Sequence, residues 1–256
     1  MQYRAAALAG LFTQVIFGFI ILMTLLAFYR SSTIPSPLGV MQTVAYVWLA
    51  QAMLGLMPWN VDPTALQAIR TGDVVQDLLR PVGLYGMWFS RALAWRVVRT
   101  ALRFTPMVLL AGLAFPLLGL DRYAMPLPAS ASAAGLFLLA AALSALVSTA
   151  VTLLMQVIML WTVSPDGVLR LVPAVTIVLS GGLVPLPLFP DWVQPFMAVQ
   201  PLRGLVDTPT RLYSGDLVAA EAWMALGWSA GWIVVLVLIG RWGLERGVRR
   251  LVVAGG

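Results

Sequence analysis

The sequence predicts an all-α protein that spans a membrane several times, and composition and charge pattern are the observations behind this prediction. Hydrophobic residues make up 61% of the 256 residues and charged residues only 10%, with a mean hydropathy of +0.91. Soluble domains carry about 25% charged residues, so a single core could not bury this much apolar surface. Cysteine and histidine are absent, which excludes thiol catalysis, disulfides and the usual zinc sites.

Six runs without a charged residue define the expected spans: residues 5–29, 31–61, 104–120, 123–165, 171–190 and 222–240. A helix needs about 20 apolar residues to cross the hydrocarbon core, and each run can supply them, with the shortest borrowing from its N-terminal side. We predict one transmembrane domain, residues 1–256, with six helices at about 5–29, 38–60, 100–120, 131–163, 170–188 and 222–242. The fourth run opens with two prolines, which suit a loop, and the remainder fits one long tilted helix, although its length leaves the number of helices open.

The arginines predict the orientation of these spans. If the N-terminus is inside, twelve of the sixteen arginines fall in inner segments and four, Arg30, Arg122, Arg203 and Arg211, in outer segments. This distribution obeys the positive-inside rule. Both termini are therefore predicted to be cytoplasmic.

The largest inner segment, residues 62–103, is predicted to contain two short amphipathic helices. Asp62 and Gly72 have the positions of an N-cap and a terminating glycine for the first helix. The second lies in "GDVVQDLLRPVG", residues 72–83, where valines and leucines share one face and acidic, amide and arginine side chains the other. Anionic lipid would repel Asp73 and Asp77, so a basic protein partner and a solvated surface face both remain open.

Three arginines at helical spacing precede the third predicted span: Arg96, Arg99 and Arg103. They suit a lipid-phosphate anchor with extended side chains. The alternative is a positive lining at the inner mouth of a path for an anionic substrate.

The outer segment, residues 180–216, contains six prolines yet is largely apolar. It is too apolar for a solvated loop and too interrupted for a spanning helix. Broken backbone at membrane depth must be buried by protein or reached by water. We therefore predict a re-entrant helical hairpin at residues 187–211 that gates the outer end of a path, with these gate residues: Pro190, Asp191, Trp192, Phe196 and Pro201.

Two segments carry a resemblance to a known family. "LSGGLVPLPLFPDWVQPFMAVQPLRGLVDTPTRLYSGD", residues 179–216, resembles the segment before the last span of ABC type-2 transporter permeases, with its small-residue pair, its "FPxW" and its final "YxG". "IRTGDVVQDLLRPVGLYGMWFSR", residues 69–91, is similar to the inner-loop signature of one bacterial subgroup of those permeases. The predicted six spans and inner termini agree with this family.

The resemblance implies a permease domain, the membrane half of an ATP-driven exporter in the bacterial cytoplasmic membrane. Two such subunits, identical or related, would associate with two ABC ATPase subunits. The chain has no GxxxxGK[ST] phosphate loop, so ATP and Mg would be bound by the partner ATPase, and no catalytic residue, cofactor, metal or nucleic acid is expected on this chain. The second inner helix would be a coupling helix that binds the ATPase through these residues: Asp73, Val74, Asp77, Leu78 and Arg80.

Two other classes of protein remain open. A secondary transporter generally needs an ionisable group within the membrane, and none of the six runs holds one. A membrane enzyme acting on lipid would need clustered acids or a nucleophile with its base. The fourth span also carries a polar stripe, Ser144, Ser148, Thr152 and Gln156, which suits contacts between helices more than the wall of a path for an amphipathic cargo.

Overall fold

The computed structural model describes residues 2–31, 36–59, 61–62, 64, 66–67, 83–162 and 166–254, and all regular structure within these ranges is helical. We label the helices α1 (Gln2–Ser31), α2 (Val40–Ala52), α3 (Leu84–Leu109), α4 (Ala131–Met159), α5 (Asp166–Leu179), α6 (Gln194–Val199), α7 (Asp207–Tyr213) and α8 (Ala219–Ala254). Short 3-10 helices lie at Met53–Leu56, Asp121–Tyr123, Leu186–Leu188, Asp191–Val193 and Pro201–Leu205.

Four helical segments in the described ranges are long and apolar enough to cross a membrane: Ala9–Ser31, Leu84–Leu117, Ala131–Met159 and Ala219–Arg249. The predicted spans at 38–60 and 170–188 correspond to shorter helices. The helix Val40–Leu56 is apolar but short, and the 14 residues of α5 extend about 21 Å, less than the hydrocarbon thickness of about 30 Å. The six-span count therefore stays a prediction.

Helix α3 begins at Leu84, well before the span predicted at 100–120, and continues through a π-turn at Leu110–Ala114 to residue 117. Pro106 lies one turn before the π-turn, and a proline inside a helix removes a backbone hydrogen bond. The backbone carbonyl of Ala111 accepts from the Met125 amide at 2.9 Å. The irregular turn thus connects α3 to the segment that leads into α4.

Helix α4 forms the centre of the molecule and packs against α3, α7 and α8. It is a single helix, and Ser130 caps it by accepting from the Ala133 amide at 3.0 Å. The loop predicted from the two prolines precedes this cap. Because α4 is surrounded by other helices, its polar side chains must find partners within the protein.

An aromatic cluster joins α1, α2 and α3. Trp48 of α2 is fully buried, and its ring lies 5.1 Å from those of Phe19 and Phe115 in edge-on geometry. A Cβ atom on Gly18 would lie 2.5 Å from the Trp48 ring, so only glycine allows this approach. The indole nitrogen of Trp48 donates to the Tyr123 carbonyl at 2.7 Å, which satisfies its polar atom.

The outer segment forms a chain of short helices rather than one long one, as its prolines require. Two glutamine side chains replace the missing backbone hydrogen bonds. Gln194 donates to the carbonyls of Leu186 and Phe189 at 2.9 and 2.7 Å. Gln200 donates to the Leu179 carbonyl at 2.7 Å, which ties the segment to the end of α5. The broken backbone is therefore satisfied by its own side chains.

Candidate functional site

A buried ionic cluster connects the outer segment to α2. The side chain of Asp207, at the start of α7, is fully buried. Its Oδ2 atom accepts from Arg203 Nε at 3.0 Å and lies 3.8 Å from Arg211 Nη1, and its Oδ1 accepts from the Tyr46 hydroxyl at 3.2 Å. Arg211 also pairs with Asp216. We name these five residues the outer network.

The turn after α5 shapes the outer network. Gly181 has φ +83°, a conformation that favours glycine, and a Cβ atom there would collide with the Tyr46 hydroxyl. The adjacent Ser180 carbonyl accepts from the Asp207 backbone amide at 3.0 Å. The small-residue pair noted in the sequence therefore ends α5 and makes room for the contact between Tyr46 and Asp207.

The two aromatic side chains among the predicted gate residues are exposed and do not fill a path within the described part of the chain. Trp192 is 83% exposed and Phe196 is 53% exposed. Pro190 and Pro201 flank or begin 3-10 helices. Asp191 lines a cavity of about 720 Å³, which the outer network also borders. The gate function of these residues remains a prediction.

The predicted coupling residues Asp73, Val74, Asp77, Leu78 and Arg80 lie outside the described residues. The structure describes the start of the inner segment. There the Asp62 carboxylate caps the first helical turn by accepting from the Thr64 amide at 2.9 Å and from the Thr64 hydroxyl at 2.7 Å. Partial burial acts to raise the pKa of Asp62. The hydrogen bonds from Thr64 and the charge of Arg91 outweigh this effect and hold the pKa below its ordinary value. The N-cap predicted for Asp62 is confirmed.

The three inner arginines have different surroundings. Arg96 is 4% exposed, and its guanidinium donates to the Leu56 and Met57 carbonyls, both at 3.0 Å, and to the Thr152 hydroxyl. Arg99 stacks on the Trp95 ring at 4.1 Å. Arg103 is exposed. Arg99 and Arg103 suit the lipid-anchor interpretation, whereas Arg96 is a buried cation.

Three residues of the polar stripe of α4 contact other elements, as its structural interpretation predicts, whereas the side-chain oxygen of Gln156 has no hydrogen-bond partner among the described residues. The Ser144 hydroxyl donates to the Gly204 carbonyl at 2.5 Å, and the Ser148 hydroxyl donates to the Leu56 carbonyl. Thr152 accepts from Arg96 and donates to the Ser148 carbonyl at 2.9 Å. The stripe thus links α4 to the outer segment, to the end of α2 and to α3.

Sequence reasoning missed the outer network. It placed Asp207 in the outer segment without a role, and it treated Tyr46 as part of an apolar span. The four-residue spacing of Arg203, Asp207 and Arg211 was a visible signal, because residues four apart share a helix face. Nothing in the sequence indicated that Tyr46 completes the site.

Comparison with known proteins identifies the class to which this helical membrane protein belongs. Residues 15–255 match the family described as ABC-2 family transporter protein, and the chain belongs to this family. It is similar to two curated relatives, each described as probable doxorubicin resistance ABC transporter permease protein DrrC, from Mycobacterium tuberculosis strains CDC 1551 / Oshkosh and H37Rv. Each is 40% identical over 74 residues, which are 29% of this chain.

The chain spans 26% of the length of these relatives, and no solved structure matches it. Membership of the ABC-2 family makes the chain a membrane component of an ABC transporter. The family resemblance found in the sequence is confirmed.

Proposed function

We propose that the chain is the permease subunit of an ABC exporter in a bacterial cytoplasmic membrane. The match to the ABC-2 family over residues 15–255 is the observation that carries this proposal. Two permease subunits, identical or related, would assemble with two ATPase subunits that bind ATP and Mg. The cargo would be amphipathic, in keeping with a chain whose candidate spans are mostly apolar.

The proposed topology has six spans and both termini inside. Exposed tryptophans lie in both halves of α8, Trp223 and Trp228 in its first half and Trp242 toward its end. The outermost two are Trp223 and Trp242. They are separated by about 28 Å of helix, close to the hydrocarbon thickness of about 30 Å, and tryptophan is enriched at both membrane interfaces. Arg246 stacks on the Trp242 ring at 4.1 Å, as suits the arginine-rich inner level.

In the proposed mechanism, the coupling helix at residues 72–81 transmits closure of the ATPase to the spans, and the outer network responds at the opposite end. A ligand or partner shifts a conformational equilibrium only when it binds the two states with different affinity. In this mechanism the ion pairs of the outer network are formed in one state and broken in the other. The α4 stripe lies between α2 and the outer segment, because Ser144 donates to the Gly204 carbonyl and Ser148, one helical turn further along α4, donates to the Leu56 carbonyl.

Two alternatives are tested by the same experiment. A secondary transporter would move its cargo without ATP, and a lipid-modifying enzyme would need no ATPase partner. Within the described ranges, no group of three or more His, Cys, Asp or Glu side chains could hold a metal ion. The outer network is an ionic cluster, but its acids are paired with arginines, which suits a structural latch more than acid–base chemistry.

The experiment is purification of the tagged chain from native membranes in an uncharged detergent. An ABC ATPase should copurify, and the reconstituted complex should accumulate a fluorescent amphipathic probe in inside-out vesicles only with ATP and Mg. Transport driven by a proton or sodium gradient without the ATPase would refute the proposal. Reporter fusions after Gly83 and at the C-terminus should report cytoplasm, and a fusion near Asp207 should report the outside.

A further inference from the structure

Among the residues that the structure describes, the buried guanidinium of Arg96 has no counterion. Its three hydrogen bonds go to neutral acceptors, the carbonyls of Leu56 and Met57 and the hydroxyl of Thr152. The two carbonyls belong to the end of the 3-10 helix that follows α2, where the helix dipole is negative and offsets part of the charge. Within the described part of the chain, no carboxylate pairs with Arg96, and its Nε has no hydrogen-bond partner.

Capping the 3-10 helix after α2 and the hydrogen bond to Thr152 therefore use three of the five N–H donors of Arg96, and they leave Nε without a hydrogen-bond partner and the charge without an acid among the described residues. Burying a cation is costly unless it is paired and hydrogen-bonded. An ionisable residue in a membrane-spanning helix generally marks a functional site. The expected partner is an anion.

A cavity of about 600 Å³ lies beside Arg96. Arg96 and Thr152 line it together with Ala92, Trp95 and Thr64, and its wall is mainly apolar. This volume lies in the usual range for small-molecule sites, about 300–1,000 Å³. The buried guanidinium and the mainly apolar wall together match a charged head attached to an apolar body.

Among the described residues that line the cavity, the charges sum to a positive value. Arg91 and Asp62 also line it, and they lie 3.6 Å apart, so they offset each other. Arg99 lies over the Trp95 ring and adds positive charge at the rim. Trp95 is 52% exposed, so the rim reaches the protein surface, which faces the inner leaflet in the proposed topology.

We propose that this cavity binds an anionic amphiphile, with its phosphate or carboxylate head on Arg96 and its apolar body along Trp95 and Ala92. A free inorganic anion would leave the apolar wall exposed, and an uncharged amphiphile would leave the guanidinium unpaired. The proposal rests on the proposed function only for placing the cavity at the inner leaflet. Binding is measured without ATP or the ATPase, so its failure is distinguishable from a failure of transport.

The test uses a matched pair of probes, dodecanoic acid labelled with nitrobenzoxadiazole and its methyl ester, which differ by one charge. Binding to the purified permease in an uncharged detergent is followed by fluorescence anisotropy. The acid should bind at least tenfold more tightly than the ester, because hydrogen bonds between charged groups are the strong ones. Equal binding of the two probes would overturn the proposal.

Two variants test whether the preference for the acid probe over the ester arises at this cavity. Arg96→Gln should remove the tenfold preference, whereas Arg103→Gln, with the same change in charge on an exposed position of α3, should keep it. Because Arg96 also caps α2, its variant could fail to fold, and Ala92→Phe provides an independent test that leaves the hydrogen bonds of Arg96 in place. It fills the cavity and should weaken both probes at least tenfold. If the acid probe still binds more tightly than the ester in both Arg96→Gln and Ala92→Phe, the anion site lies elsewhere and the proposal is refuted.

Competition distinguishes the possible sources of the anion. In nanodiscs, phosphatidylglycerol should displace the acid probe if a membrane lipid occupies the cavity, whereas phosphatidylcholine should not. If neither displaces it, the cavity selects a cargo rather than a resident lipid. Displacement by millimolar inorganic phosphate would show a site for free anions and would refute the amphiphile proposal.

Discussion

Replacing Asp207 with asparagine tests whether the outer network holds the outer segment to α2. The substitution keeps the shape of the side chain and an oxygen that can accept from Tyr46, but it removes the negative charge. Arg203 then loses its ion pair, while Arg211 keeps Asp216. The perturbation therefore leaves one partly buried guanidinium without an acid.

The expected magnitude follows from the burial of these groups. Removing one partner of a buried ion pair costs about 3–5 kcal/mol. The side chains of Arg203 and Arg211 are 16% and 20% exposed, so water offsets part of this loss. We expect the unfolding free energy to fall by about 2 kcal/mol for Asp207→Asn, and by less than about 1 kcal/mol for the control Asp216→Asn, whose acid is partly solvated.

The assay is unfolding of the purified chain by sodium dodecyl sulfate in mixed micelles, with helix content as the signal. Adding Arg203→Met to Asp207→Asn removes the unpaired guanidinium and should restore part of the stability, because coupled residues are not additive. If Asp207→Asn lies within about 0.5 kcal/mol of the parent chain, or Arg203→Met brings no recovery, the buried ion pair does not stabilise the outer segment.

Three further predictions concern the inner and outer segments. Asp77→Arg should abolish ATPase copurification while changing the unfolding free energy by less than about 0.5 kcal/mol, and undiminished copurification would return residues 72–81 to a membrane-surface role. Trp192→Cys in this cysteine-free chain should react quickly with an impermeant thiol reagent from outside, as its 83% exposure predicts, and a rate that changes when ATP is trapped would support a gate. Asp62 has a lowered pKa in the folded chain, so its contribution to stability should be complete above about pH 3.8 and lost as the pH falls below it. Plots of unfolding free energy against pH for the parent chain and for Asp62→Asn should therefore converge at low pH. Parallel plots would contradict a lowered pKa for Asp62.

The course of the spans was partly predictable because it depends on local composition. The fourth span and its preceding loop could be predicted from two prolines followed by a long apolar run, and α4 has this form. The start of α3 could not be predicted in the same way. Residues 84–103 contain arginines, and a prediction from composition ends a span where charged residues begin. Helix α3 continues through them, since burial of Arg96 and stacking of Arg99 accommodate two of these charges within the helix.

The sequence by itself determined the class of this protein, because an excess of apolar residues and six uncharged runs leave few alternatives to a helical membrane fold. It also determined the family, since short motifs of small residues and prolines are local properties of the chain. The tertiary structure decided which polar residues meet. Asp207 and Tyr46 are 161 positions apart, and Arg96 contacts Leu56 and Thr152, 40 and 56 positions away. Such pairings depend on how helices pack, and periodicity within one helix carries no information about them.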